Sequence, residues 1–326
     1  MAKSKYTSIG GSALIEGVMM RGNGRMAIAV RKESGDLILK VEEAKAGNKI
    51  IGKIPLVRGI VGFVTSMVTS YKSLMYSADV SMEDVLEEEP QSKLDEWLTK
   101  ILGKGGMAVL GVISMIIGLL FAVAAFIFLP TLLTDLLAKV MPMNDTVKRI
   151  IVGAVKMLVF LVYMFAVSQM KEMRRVFMYH GAEHKTIFCY EAGKELNPEN
   201  ARECKRFHPR CGTSFIVITL LVSFAISMLI PWKDAWSHSL IKFLVLPAVM
   251  GVAYEFIKLA GKYDNVFTRI ISAPGVWMQR ITTKEPDDSM LECAVWAMKG
   301  VIDKDIPLDT RFKITEDGIV KDEKGE

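Results

Sequence analysis

Four long apolar segments constrain this sequence more than any other feature. They cover approximately residues 106–129, 149–170, 213–231 and 239–260. A helix of about 20 apolar residues crosses the ~30 Å hydrocarbon core of a bilayer, and each segment approaches that length. Hydrophobic residues form 51% of the 326-residue chain, which is high for a soluble enzyme. We therefore predict a mainly α, polytopic membrane protein with about four transmembrane helices.

The distribution of charge predicts how the chain is oriented. The loop 171–212, between the second and third segments, carries nine Lys and Arg residues. Positively charged loops stay on the cytoplasmic side of a membrane, so this loop and, with four spans, both termini are expected to be cytoplasmic. The net charge of +5 is not collected in one basic patch interleaved with aromatic residues, and no nucleic-acid binding is expected. The expected partners are the lipid bilayer and another membrane protein.

The pattern divides the chain into six regions. They are a small β-containing cytoplasmic unit of α+β type (1–50), an amphipathic helix and acidic linker (51–105), a first transmembrane hairpin (106–170), a helical cytoplasmic loop rich in His and Cys (171–212), a second transmembrane hairpin (213–260) and a helical cytoplasmic C-terminal region (261–326). Alternating apolar residues around Ser34-Gly35-Asp36 predict a β-hairpin in the first region. Ser289–Glu292 has capping-box spacing before a helix. The charged residues 312–326 are expected to be loosely ordered.

Residues 55–78 have apolar side chains at helical spacing on one face and small residues, mainly Ser and Gly, on the other. This pattern predicts an amphipathic helix. Arg58 and Lys72 are unfavourable in a spanning helix, so two interpretations stay open. The helix lies at the membrane interface and packs through its small residues, or it belongs to the core of the N-terminal unit. Whether residues 54–78 enter the membrane is not decided by the sequence.

The stretch His180-Gly181-Ala182-Glu183-His184 follows the second apolar segment. Residues four apart lie on one face of a helix, so the two imidazoles can bind one metal ion, with Glu183 beside them. This is the H-x-x-E-H order of the inverted zincins. A structural or polar-network role for the five residues is the alternative.

The following residues bring further metal ligands back to this motif. The second apolar helix can continue without interruption until Gly193, and Asn197-Pro198 then predicts a short helix as far as Phe207. His208 and Cys211 would return beside the base of the first helix. A catalytic zinc site would use His180, His184 and either His208 or Cys211, with Glu183 as general base, whereas a closed structural site would use all four ligands. Cys204 could replace Cys211.

Five further residues are candidates for substrate binding or for supporting the ligands. Lys185 and Arg210 could bind an anionic group, or they could be ordinary membrane-surface anchors. Glu191 suits a supporting or substrate-facing role better than direct ligation, because two helical turns separate it from His184. Glu16 and Arg21 are flanked by glycines and could form a functional loop or an ordinary turn with exposed charges. His238, in the turn before the fourth segment, is expected to lie in solvent or at an interface.

Several motifs together carry a resemblance to a known family. They are Gly11–Gly22, Arg58-Gly59, Tyr179–Lys185, Tyr190–Gly193, His208–Phe215, Tyr254-Glu255, Pro274-Gly275 and Gln279–Thr283. On these motifs the chain resembles the YqhQ-like bacterial membrane proteins of unknown function, which are described as predicted metal-dependent enzymes. The resemblance implies a bacterial cell membrane and supports the metal site, but it implies no substrate. Inverted zincins have a distant acidic third ligand, whereas this chain has a His/Cys pair, which puts peptidase activity in doubt.

Two functions therefore remain. The first is a metal-dependent hydrolase that acts at the cytoplasmic membrane surface through a zinc-bound water. The second is a non-catalytic accessory protein that assists another membrane machine, for protein export or membrane-protein quality control. A transporter or channel is less favoured, because the apolar segments contain few of the charged residues that line such pathways.

Overall fold

The structure is a computed structural model, and it describes residues 7, 9–44, 54–83, 106–209, 211–232, 234–262, 265–315 and 318–322. It is mainly helical, with one antiparallel sheet. The helices are α1 (Val57–Ser81), α2 (Gly106–Val123), α3 (Leu129–Val140), α4 (Asp145–Gln169), α5 (Lys171–Glu191), α6 (Pro198–Arg202), α7 (Gly212–Ser227), α8 (Ala235–Lys262), α9 (Val266–Thr282) and α10 (Asp288–Ile302). The predicted linker residues 84–105 and Arg210 lie outside the described residues.

The sheet joins both ends of the chain. Its strands are β1 (Gly10–Leu14), β2 (Gly17–Gly22), β3 (Arg25–Arg31), β4 (Leu37–Glu43), β5 (Thr310–Thr315) and β6 (Gly318–Lys321), paired antiparallel in that order. The predicted hairpin around Gly35 is confirmed as β3–β4, and Gly35 has the positive φ of 93° that glycine tolerates. The prediction that the C-terminal residues from Phe312 are loosely ordered was wrong for 312–315 and 318–321. Phe312 and Ile314 are buried and pair with β4, so burial of apolar side chains orders this segment despite its charges.

The two faces of the sheet pack against different helices. One face shares a hydrophobic core with α5 and α10, in which Val18, Leu39, Tyr179 and Met298 are buried. The N-terminal strands therefore do not have a core of their own. On the other face, Val80 near the end of α1 packs on a smaller apolar cluster of the sheet. Helix α10 begins with an N-cap at Asp287, whose side chain accepts a hydrogen bond from the Met290 N–H, and not at the predicted Ser289.

Among the described residues, three helical segments are long and apolar enough to cross a membrane: Gly111–Val140, Asp145–Gln169 and Ala235–Lys258. Their apolar side chains are widely exposed, as Leu120 is at 63% and Leu244 at 67%, which suggests membrane association. The predicted count of four is not matched. The third predicted segment forms α7, which has 16 residues and spans only ~24 Å at about 1.5 Å per residue. It ends at Ser227, before Pro231.

The first apolar helix continues beyond its predicted end at residue 129. The sequence favoured a loop from Pro130 to Lys148, but α3 extends to Val140. A π-helix at Ala124–Phe128 immediately precedes Pro130. In this wider turn the Leu129 N–H donates to the Ala124 carbonyl. The turn gives room for the Pro130 ring, which in a regular α-helix would clash with the carbonyl four residues earlier. The correction follows from this local change in helical geometry.

The helix that carries the H-x-x-E-H motif is separate from the second apolar helix. The prediction of one uninterrupted helix was wrong, because Met170 has an extended ψ of 135° between α4 and α5. Helix α5 ends at Glu191, close to the predicted stop at Gly193, where φ is 67°. The next helix has the predicted Asn197 cap, but it ends at Arg202 instead of Phe207. His238 is fully buried against the Trp232 ring and is not a solvent residue.

Helix α1 packs through its small residues and leaves its apolar residues exposed. Ser73 and Ser77 are buried, whereas Val64 and Met67 are more than half exposed. A Cβ atom on Gly59 would lie 2.8 Å from the Tyr254 side chain, so glycine permits the close approach of α1 and α8. Arg58 forms a bidentate ion pair with Glu255 across the same contact. The start of α1 therefore belongs to the apolar bundle and its end to the sheet.

Candidate metal centre

Helix α5 presents His180 and His184 on one face, as the spacing of four predicts, and their ring centroids are 4.5 Å apart. Cys211 is the N-cap of α7 and accepts a hydrogen bond from the Thr213 N–H. Its Sγ atom lies 3.1 Å from His180 Nε2. One potential ligand atom from each of His180, His184 and Cys211 lies within 4.8 Å of the others. Such a group matches the nitrogen and sulfur ligands of zinc sites.

Backbone carbonyls orient both imidazoles. His180 Nδ1 lies 2.8 Å from the Thr282 carbonyl oxygen, and His184 Nδ1 lies 2.5 Å from the Arg206 carbonyl oxygen. A carbonyl oxygen only accepts, so each Nδ1 must carry the proton and donate it. Each neutral ring then keeps its lone pair on Nε2. Histidine ligands of metals usually have such a bonded second nitrogen.

His184 Nε2 is the most informative atom of the group. It is buried and interacts with the Cys211 thiol, but it forms no hydrogen bond of regular geometry with any described residue. A buried polar atom without a partner has a high energetic cost, and a metal ion would remove that cost. Burial also lowers the pKa of His184, which favours the neutral imidazole that binds metals.

Glu183 is buried beside the histidines at the contact between α5 and β1. Removal from water raises the pKa of its carboxyl to about 7, although the electrostatic interaction with His180 and a hydrogen bond from the Gly11 backbone act in the opposite direction. A Cβ atom on Gly11 would lie only 2.9 Å from the Glu183 Cδ atom. The absence of a side chain at Gly11 therefore makes room for this carboxyl group. With that pKa, Glu183 can accept or donate a proton near neutral pH.

His208 is near the group but does not belong to it. Its Nε2 atom lies 3.9 Å from Glu191 Oε2, and its ring centroid is 5.6 Å from that of His184. The backbone of His208 is held by Gln279, whose amide oxygen accepts from the N–H and whose amide nitrogen donates to the carbonyl, both at 2.7 Å. His208 and Glu191 therefore form a wall next to the three candidate ligands.

The other predicted site residues make contacts of their own. Lys185 pairs with Glu285 at 2.5 Å and donates to the Arg202 carbonyl. Burial alone would raise the pKa of Glu285, but hydrogen bonds from Lys185 and Arg206 hold it below its ordinary value. Cys204 donates to the Asn200 carbonyl oxygen and is not among the three grouped residues.

Glu16 lies in the turn between β1 and β2, and Arg21 lies on β2. Glu16 has a φ of 49° in the turn between β1 and β2, and its carboxylate accepts two hydrogen bonds from Arg175 and one from the Tyr179 hydroxyl. It therefore ties the turn to α5. Arg21 lines a cavity of 600 Å³ between the sheet and α1, together with Lys40 and Lys72.

The structure adds residues that the sequence reasoning did not assign to the site. Thr282, Arg206 and Gln279 act through their backbone or amide groups, and Gly181 allows the segment after α9 to approach α5. A backbone carbonyl leaves no trace in residue type, so the only signal was the Gln279–Thr283 motif that contributed to the family resemblance.

Comparison with known proteins identifies the family. The profile of the family described as "Protein of unknown function (DUF1385)" matches residues 54–304. The chain belongs to the DUF1385 family. This DUF1385 protein is 33% identical over 304 residues to "Uncharacterized protein YqhQ" of Bacillus subtilis (strain 168), across 90% of this chain and 92% of the relative. The resemblance predicted from the motifs is thus confirmed. No solved structure matches the chain.

Proposed function

We propose that this DUF1385 protein is a multi-pass membrane protein that binds one zinc ion through His180, His184 and Cys211 and acts as a metal-dependent hydrolase at the membrane surface. The observation that carries the proposal is the orientation of the two imidazoles. Both Nδ1 atoms bond backbone carbonyls, and a ligand nitrogen of each ring and the Cys211 sulfur lie within 4.8 Å of one another. A polar network without metal would leave the buried His184 Nε2 without a hydrogen bond of regular geometry among the described residues.

Three protein ligands suit a catalytic rather than a closed structural site, because the fourth position stays open. A zinc ion there would polarise a bound water and lower its pKa to about 7. Glu183, whose own pKa is raised to about 7, would accept the proton of the attacking water and return it to the leaving group. His208 and Glu191, next to the three ligands, would contact the substrate. The substrate class that follows is a peptide or ester bond near the membrane.

Metal analysis of the purified full-length protein tests the site. We expect one zinc ion per chain in the wild type, and loss of that zinc in Cys211→Ser and His184→Asn. His208→Gln is the matched control, because it changes a neighbouring imidazole that is not among the three ligands. Zinc absent from the wild type would refute the site. Equal zinc loss in His208→Gln would indicate a closed four-ligand site and refute the open position.

The catalytic step is tested separately with Glu183→Gln. This variant should keep its zinc but lose hydrolysis of fluorescence-quenched peptides and p-nitrophenyl esters, by roughly the 10²- to 10⁴-fold that a general base contributes. Hydrolysis unchanged in Glu183→Gln, at equal zinc content, would remove Glu183 from the mechanism.

We also place the sheet and the metal centre in the cytoplasm, as the nine basic residues of 171–212 favour. Strand β4 pairs with β5, so the chain between them must cross a membrane an even number of times. Three crossings would be an odd number, so α7 must supply a fourth crossing. Local thinning of the bilayer would allow this short helix to span it. A C-terminal fluorescent-protein fusion should be bright, and a C-terminal alkaline phosphatase fusion inactive. An active phosphatase fusion would reverse the orientation.

The second candidate is a non-catalytic accessory protein for protein export or membrane-protein quality control. The observation that favours it is the deep burial of the centre, since His184 is 1% exposed and Glu183 is 5% exposed. In this role the zinc would only hold α5, α7 and the segment after α9 together. Glu183→Gln would then leave cellular function intact, whereas Cys211→Ser would abolish it.

A further inference from the structure

A cavity between α4, α7 and α8 contains two lysines within the apolar helices. Its volume is 240 Å³, and its polar side chains are Lys156, Ser223, Ser227 and Lys242. The Lys156 ammonium donates a 2.9 Å hydrogen bond to the Ser223 hydroxyl. The cavity lies toward the end of α7 that is remote from Cys211. It is therefore separate from the metal centre.

The two lysines have no acidic partner in the described part of the chain. None of the described residues that line the cavity is Asp or Glu. Lys242 is close enough to Lys156 for the two positive charges to repel each other. Charged side chains inside apolar helices are costly and are usually paired or functional. Two adjacent ammonium groups and a hydroxyl thus form a site for an anion.

The cavity opens toward the apolar surface of the helices. Ile150 and Leu221 line it and are also 48% and 40% exposed, so acyl chains of the bilayer would contact its wall. Because α7 ends at Ser227, Ser223 lies only about one turn, ~6 Å, from the end of that short helix. A lipid headgroup can reach this depth where lysine side chains extend toward it.

We infer that this cavity binds an anionic phospholipid. The phosphate accepts hydrogen bonds from Lys156, Lys242 and the Ser223 hydroxyl, and an acyl chain covers Ile150 and Leu221. A free phosphate ion offers the same oxygen atoms, but it would leave the apolar wall uncovered. The lipid is therefore the occupant that matches both parts of the cavity.

Lipid titration of the delipidated, full-length protein in detergent tests this inference, with bound lipid counted by native mass spectrometry. The probes are dioctanoyl phosphatidylglycerol, dioctanoyl phosphatidylcholine and inorganic phosphate. We expect saturable binding of one phosphatidylglycerol per chain, weaker binding of phosphatidylcholine and no binding of inorganic phosphate. Equal binding of the two lipids would overturn the inference. Binding of inorganic phosphate without binding of phosphatidylglycerol would also overturn it, because the cavity would then be a site for a free anion.

Variants locate the binding. The double variant Lys156→Met, Lys242→Met removes both charges but keeps apolar side chains of similar length. Each lysine near a membrane surface contributes ~1 kcal/mol to the binding of anionic lipid. Because each 1.4 kcal/mol changes affinity about tenfold, the double variant should bind phosphatidylglycerol about 30-fold more weakly. Lys139→Met is the matched control, because it removes an exposed lysine at the end of α3. Binding that is unchanged in the double variant, or equally weakened in Lys139→Met, would contradict the assignment. The lipid comparison on the wild type remains decisive if the double variant does not fold.

Discussion

At the level of single atoms, His180 and His184 each bond one distant backbone carbonyl through Nδ1. These two hydrogen bonds determine which nitrogen of each ring can bind a metal. The carbonyl of Thr282 belongs to the end of α9, and that of Arg206 to the loop after α6. Because both carbonyls select the same tautomer, each imidazole presents an Nε2 lone pair, and that of His180 points toward the Cys211 thiol. Ligand preorganisation of this kind increases metal affinity, and loss of such supporting bonds typically lowers it about 10- to 100-fold.

The four thiols should differ in reactivity. Burial raises the pKa of Cys293 to about 12 and that of Cys189 to about 11, so both are almost entirely protonated at pH 7.5 and should resist iodoacetamide in the folded protein. Cys204 and Cys211 are only partly buried and should be labelled after treatment with a chelator. Added zinc should slow labelling of Cys211 by at least about tenfold.

Peptide mass spectrometry of the labelled chain measures all four rates at once. Cys204 is the internal control, since it donates to the Asn200 carbonyl and is not among the three grouped residues. Protection of Cys204 by zinc in place of Cys211 would move the third ligand to the alternative cysteine that the sequence also allowed.

At the level of elements, α5 is held between the sheet and the segment that follows α9. The Lys284 N–H donates to the Phe177 carbonyl, and Gly181 faces the Lys284 carbonyl oxygen. A Cβ atom on Gly181 would lie 2.1 Å from that oxygen, which no backbone carbonyl can accommodate without moving. The glycine inside the H-x-x-E-H motif thus serves packing, not catalysis.

Gly181→Ala should therefore destabilise the protein by about 1–3 kcal/mol, as overpacking does. Displacement of Lys284 should also move Thr282, so zinc content should fall together with the apparent Tm in detergent. Gly118→Ala in α2 is the matched control, because a Cβ atom there meets nothing within 4 Å. A Gly181→Ala protein with unchanged Tm and full zinc content would contradict this account of the packing.

At the level of the whole molecule, strands from both ends of the chain pair in one sheet, which packs against the helices. Phe312 on β5 is 6% exposed and belongs to the core shared by the sheet, α5 and α10. Strand β5 also covers the edge of β4, which would otherwise present unpaired backbone groups. The stability of α5, which carries the two candidate histidine ligands, therefore depends on residues at the far end of the chain.

Phe312→Ala should lower the free energy of unfolding by about 3–5 kcal/mol, the usual cost of removing a buried aromatic ring. Val320→Ala on β6 is the control, since Val320 is 53% exposed and such surface changes usually stay within about 0.5 kcal/mol. Chemical denaturation and limited proteolysis of α5 measure both. Equal stability of the two variants would show that β5 is not part of the core.

The sequence by itself determined the features that depend on nearby residues. Apolar length indicated the three long apolar helices, and the spacing of four placed His180 and His184 on one helical face, because helical geometry repeats wherever the helix lies. The turn at Gly35 and the Asn197 cap were also predicted correctly, since both depend on local side-chain chemistry. The family was predicted from motifs distributed over most of the chain.

Only the tertiary structure decided which distant groups meet these local features. It brings Cys211, and not His208, into the group with the two imidazoles, because Gln279 holds the His208 backbone in another position. It also adds the Thr282 and Arg206 carbonyls, the space at Gly11 and the strand at Phe312. These contacts arise from long-range packing of segments whose own residue patterns are unremarkable or charged, and no periodicity along the chain encodes them.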